Sequence, residues 1–212
     1  MKTFTKTTVE ESPLLEIRID DDTESPREWS NLGYFITIDS NYNSPDGEKR
    51  IGNDDYQPSW FLKEIKEIIK ETGDMADNQK DHMKMIKEKF ERVEGDGDKI
   101  IAIYPIVKHE HGNVYYHLGT SHGFDDSNNG FYIITDKTQK ETGIKTKDYE
   151  KVIEQELECY NKYMNGEIYN FILHNKKGEL KESCSGFYDI EDIREYLPKS
   201  WAKEDLNEYL IN

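Results

Sequence analysis

"KIIAIYPIVKHEHGNVYYHLGTSHGFDDSNNGFYIITD", residues 99–136, decides the fold class, because within it the apolar spacing turns from that of helices to that of strands. Three runs, "KIIAIYPIV", "NVYYHLGTS" and "GFYIITD", are rich in β-branched and aromatic residues. They are joined by "KHEHG" and "HGFDDSNN", which supply turn residues. The pattern predicts a three-strand meander.

Upstream, "DNQKDHMKMIKEKFERV" puts Met83, Ile86, Phe90 and Val93 on one helical stripe. Before it, "SWFLKEIKEIIKET" repeats that spacing with Phe61, Ile65, Ile68 and Ile69, stopped by Gly73. Nearer the start, "LLEIRID" (14–20) and "YFITIDS" (34–40) alternate apolar and polar residues as half-buried strands do. A Pro- and Gly-punctuated segment separates them, and a long turn-rich loop follows.

Downstream, "KDYEKVIEQELECYNKYMNG" predicts the longest helix, with Tyr149, Ile153, Leu157 and Tyr160 buried and Gly166 as its stop. "EIYNFILHN" and "ELKESCSGFYD" then read as a hairpin across "KKG". The tail predicts a short helix, a proline break and a last helix led by Ser200. The assembled expectation is an α+β fold, a single antiparallel sheet of about six or seven strands with helices packed on one face. Residues 1–212 read as one domain, with 199–212 as a C-terminal helical appendage.

Composition narrows the function classes. Of the 212 residues, 34% are apolar and 34% charged, but 12% are aromatic, which points to a folded core leaning on tyrosine. Asp and Glu outnumber Lys and Arg by 44 to 28, a formal charge of −16. That field repels phosphate backbones and anionic lipid, so direct nucleic-acid binding is disfavoured and a partner with a basic surface is favoured. Cys159 and Cys184 are far apart with no CxxC pair, which argues against a zinc knuckle or disulfide framework. No run reaches the ~18–20 apolar residues that span a bilayer, and the N-terminal segment lacks an apolar leader core, so the expected location is cytoplasmic.

Four of the six histidines, His109, His111, His117 and His122, lie in the opening stretch beside Asp125 and Asp126. A metal-dependent hydrolase or nuclease would draw its ligands from His111, Asp125 and Asp126. Against it, no HExxH, HxxxH or cysteine-containing spacing accompanies them. "GFDDSNNG" is neither an EF-hand loop nor a P-loop, and "CSG" at Cys184 lacks the flanks of a nucleophile elbow, so that cysteine reads as buried and structural. No cofactor signature is present, and the reading leans against an enzyme.

Five stretches, "ESPREWSNLG" (24–33), "YPIVKHEHGN" (104–113), "FDDSNNGFYIIT" (124–135), "ELECYNKYMNGEIYNFIL" (156–173) and "CSGFYDIEDIREYLP" (184–198), resemble a family of uncharacterised proteins carried by bacteriophages, prophages and mobile elements of Gram-positive bacteria. Against that pattern His111, Gly112, Asp126 and Ser127 are in place and Phe124 stands where tryptophan is usual. His109, His117 and His122 match nothing in it, which weighs against a four-histidine metal site. The resemblance implies a setting and no activity: a phage-encoded acidic accessory protein, cytoplasmic in a bacterial host. Its expected role is that of a non-enzymatic inhibitor of a host protein, such as a defence component of the restriction kind, with an acidic face imitating DNA. A virion structural part is the further alternative.

The partner-binding expectation falls on Arg27, Trp29, Asn31, Phe124, Asp125 and Asp126. It places the "ESPREWSNLG" and "FDDSNNG" loops side by side, with Arg27 paired bidentately to Asp125 or Asp126. The architectural alternative has Trp29 plugging the sheet edge and Arg27 neutralising carboxylates.

Overall fold

A computed structural model describes residues 14–37, 44–46, 67, 75–91, 99–120 and 123–211. Its strands are β1 (Leu15–Ile19), β2 (Tyr34–Thr37), β3 (Ile100–His111), β4 (Asn113–Leu118), β5 (Asp126–Thr135), β6 (Tyr169–His174), β7 (Leu180–Phe187) and β8 (Leu210–Ile211). The α-helices are α1 (Met75–Glu91), α2 (Asp136–Thr142) and α3 (Tyr149–Met164). The helix expected at 59–72 lies outside the described residues except for Glu67. In α1, Ile86 is buried and Met83 partly so, while Phe90 and Val93 lie outside the described side chains.

The expectation of α+β holds, but that of one sheet does not. Two four-stranded sheets form, β7-β6-β1-β8 and β2-β5-β3-β4. β1 and β2, consecutive in sequence, belong to different sheets. β1 pairs antiparallel with β6 and parallel with β8, whereas β2 pairs antiparallel with β5. No tight turn forces β1 and β2 into a hairpin; the segment between them folds around the buried Arg27. The chain divides into two compact units, Ser25–Asn165 and the pair Met1–Glu24 with Gly166–Asn212.

In Ser25–Asn165 the meander is also corrected. β3 and β4 form the expected hairpin, but β5 takes the opposite edge of β3. Burial explains the choice. β4 alternates exposed and buried residues, as an edge strand can, whereas β5 is buried continuously from Asn129 to Thr135 and needs cover on both faces. Helices on one face alone could not provide it. On one face Phe35, Ile106, Tyr116, Tyr132 and Ile134 meet Tyr149, Ile153, Leu157 and Tyr160 of α3, the row expected from the sequence. The residues that alternate with these on β2 and β5, Ile36, Phe131 and Ile133, are equally buried.

Both edges of this sheet are closed by side chains. On β4, Asn161 Nδ2 donates to Tyr116 O (2.9 Å) and its Oδ1 accepts from Tyr116 N (2.8 Å). One turn on, Asn165 Nδ2 donates to Val114 O (3.0 Å). On β2, Phe35 N donates to Asp46 Oδ2 (2.6 Å), Asp46 N to Phe35 O (3.1 Å) and Thr37 N to Ser44 Oγ (3.0 Å). Edge groups that would otherwise recruit another strand are thereby occupied.

The second unit packs Leu15, Ile17, Phe171 and Leu173 of its sheet against Ile190, Ile193, Leu197 and Leu206. The tail is not a helical appendage. It forms 3-10 turns at Ile190–Tyr196, Lys199–Trp201 and Leu206–Tyr209, then enters the sheet as β8. Asp189 and Asp205 side chains cap the first and last of these turns, which lets a proline-interrupted segment remain compact. Cys184, expected to be buried, is exposed on β7.

Candidate functional site

Ser25 and Pro26 set the geometry of "ESPREWSNLG". The Ser25 hydroxyl accepts from Arg27 N (3.3 Å), and Pro26 opens a 3-10 turn over Pro26–Glu28 that turns Arg27 inward. At 1% exposure the guanidinium has partners in four places. Nε and Nη2 donate to Asp46 Oδ2 (3.1 and 2.6 Å), Nη1 to Asn31 Oδ1 (3.0 Å) and Glu156 Oε2 (2.9 Å), and Nη2 to Gly33 O (2.8 Å). Its Cζ lies 5.6 Å from the centre of the Tyr132 ring. Glu156 Oε1 accepts from Leu32 N (2.7 Å), the Tyr132 hydroxyl donates to Glu156 Oε2, and Gly33 N donates to that hydroxyl (2.8 Å). Asn31 closes the loop on itself, donating to Pro26 O (3.1 Å) and Trp29 O (2.8 Å).

Burial alone would lower the Arg27 pKa, but Asp46, Tyr132 and Glu156 outweigh it and the net displacement is upward. Burial, then Glu156, pushes the Tyr132 phenol well up, and burial, then Tyr116, raises Tyr160. An unfolded tyrosine ionises near pH 10. Since the native state retains protons that the unfolded state releases, this stability is complete below about pH 10 and is lost as pH climbs towards the folded-state values. We expect tyrosinate absorbance from these two phenols to appear only together with loss of near-ultraviolet circular dichroism. Their ionisation while that signal stays native would contradict the burial.

The expected Arg27 pairing with Asp125 or Asp126 is therefore corrected. Arg27 stacks near Tyr132, which lies six residues along β5 from Asp126, about 20 Å at strand rise. The two loops do not adjoin. Each aspartate has a histidine instead. His109 Nδ1 lies 2.8 Å from Asp126 Oδ1, whose other oxygen accepts from Gly123 N (3.0 Å). His111 Nδ1 lies 3.4 Å from Asp125 Oδ2, and Glu110 N donates to Asp125 O (3.1 Å). These contacts fasten the connection leading into β5 to the end of β3. His117 is exposed with Nδ1 3.0 Å from Leu118 O, and His122 lies outside the described residues. Among the described residues no three His, Cys, Asp or Glu side chains gather as a metal site, so His111, Asp125 and Asp126 are not brought together as ligands.

What remains on the surface differs from the sequence-based set. Arg27 and Asn31 serve the loop's own structure. Trp29 is half-exposed, and Phe124 is fully exposed beside the partly exposed Asp125. Sequence reasoning missed Asp46, Glu156 and Tyr132, the partners that account for Arg27. No helix among the described residues is long and apolar enough to cross a membrane. No protein-family model, curated protein or solved structure matches this chain.

Proposed function

We propose that this chain is a non-enzymatic protein-binding factor of a bacteriophage or mobile element, which occupies a basic surface on a host protein of the defence class. The observation that carries the binding reading is Phe124, an aromatic side chain left wholly in water in the pinned turn that leads into β5 and followed directly by the partly exposed Asp125. Such a ring contributes nothing to the core and suits a contact anchor, since interface energy concentrates in a few buried aromatic residues. The charge of −16 supplies attraction to a basic partner and speeds encounter. The phage setting and the defence target rest on the resemblance of the five sequence stretches. The hydrolase alternative draws no support from Asp125 and Asp126, each of which is engaged with a separate histidine.

The test is capture from host lysate on immobilised protein, at low salt and at several-fold higher salt, with Phe124→Ala in parallel. We expect a specific partner whose retention falls at least about tenfold with Phe124→Ala and falls as salt screens the charges. The melting temperature of the variant should be unchanged. Absence of any specific partner at low salt, or a partner indifferent to Phe124, overturns the reading.

A further inference from the structure

The sheet edges are treated unequally. Asp46 and Ser44 close β2, Asn161 and Asn165 close β4, and β8 is only two residues long. β7 is eight residues long and exposed from Leu180 through Gly186, with Leu180 at 64% exposure. The direction of its free groups follows from the ladder. His174 N donates to Leu14 O and Asp20 N to Ile168 O, so the even-numbered residues of β6 turn their backbone groups to β1. Phe171 and Leu173 therefore turn theirs to their partners Cys184 and Glu182 on β7. Ser183, between those two, presents its N–H and C=O away from the sheet. Gly186 N, by contrast, is bonded on the inner side, to Asp20 Oδ2 at the end of β1 (3.0 Å). Among the described residues nothing caps Ser183.

We infer that β7 is the contact through which two copies of this chain pair, antiparallel about Ser183, to make one continuous sheet across a two-fold axis. Charge placement identifies the occupant. The strand has a basic end, where Lys176, Lys177 and Lys181 outnumber Glu179, and an acidic end, where Asp189, Glu191, Asp192 and Glu195 outnumber Arg194, itself paired with Glu191. Antiparallel self-pairing sets each basic end against the partner's acidic end, which compensates locally for bringing together two acidic chains. Register shifts on β7 flank the regular stretch Glu182–Cys184, and within it Glu182 faces Cys184 of the other copy, so no like charges stand directly opposite there. Such an isologous interface closes on itself and stops at two copies.

The test is solution mass by light scattering on the full chain near physiological salt. The parent should be a dimer. Ser183→Pro removes the outward donor while leaving the bonds to β6, and should give a monomer with unchanged circular dichroism, whose melting temperature no longer rises with protein concentration as the parent's does. A charge exchange guards against a folding artefact. Lys176→Glu with Lys177→Glu in one chain, and Asp192→Lys with Glu195→Lys in another, should each be monomeric alone and should pair when mixed. A monomeric parent, a Ser183→Pro dimer, or failure of the mixed pair to form overturns the inference.

Discussion

Replacing Arg27 with alanine is expected to unfold the Ser25–Asn165 unit or leave it barely stable. The side chain holds two carboxylates inside the protein, Asp46 with side-chain exposure of 0% and Glu156 with 16%. Removing one member of a buried ionic cluster leaves its partners charged and unpaired, at a cost of about 3–5 kcal/mol. Domains of this kind have only about 5–15 kcal/mol in total. Lysine should recover little, because one ammonium cannot reach Asp46, Asn31, Glu156 and Gly33 O together as the guanidinium fork does. Neutralising the partners should help more: Arg27→Met with Asp46→Asn and Glu156→Gln removes the stranded charges that dominate the cost. By contrast Asp126→Ala loses a histidine contact near the surface and should cost about 0–1 kcal/mol. Urea unfolding followed by circular dichroism separates these cases. An Arg27→Ala midpoint equal to that of the parent would show that the cluster is solvated and the structural role wrong.

Arg27 also marks the limit of what could be read in sequence. "ESPREWSNLG" announced itself as a structured loop through Ser-Pro and Asn-Leu-Gly, and it is one. Its partners are 19 and 129 residues away along the chain, and nothing local singles them out. Glu156 sits among the glutamates of α3 and reads as solvated, while Asp46 sits in a turn-rich loop. The apolar row of α3 was legible because helical periodicity is a local property. The edge-closing role of Asn161 and Asn165 was not, since two asparagines four apart on a helix look like ordinary polar surface. Strand pairing failed for a related reason. Alternation shows that β1 and β2 are half-buried strands, but strand identity does not choose a partner when the connection is too long to dictate one.

The other large effect is expected at Gly130, which brings β5 against β2. A Cβ there would stand 2.0 Å from Ile36 O and 2.9 Å from Thr37 Cα. Both are backbone atoms, so no side-chain rotation can relieve the clash and β2 itself must move. Among the described residues β2 has no second strand to hold it, its outer edge being closed by Ser44 and Asp46. Moving it disturbs the ladder to β5, the packing of Phe35 and Ile36, and the Phe35 N bond to the carboxylate that holds Arg27. Gly130→Ala should therefore cost about 3 kcal/mol or more, at or beyond the upper end of ordinary overpacking. Gly33→Ala should behave alike, because its Cβ would meet Ile133 O at 2.3 Å and the Tyr132 ring at 2.7 Å. Neither glycine has a left-handed φ, so the cause is close approach of backbones and not conformational freedom. Gly112 provides the contrast, with φ of 85° and open space around it. Asparagine, which tolerates the left-handed region, should be milder than alanine at Gly112. At Gly130 the larger side chain should be worse than alanine. Thermal unfolding of the five variants reads this out directly, and a Gly130→Ala protein as stable as the parent would mean that β2 does not lie this close to β5.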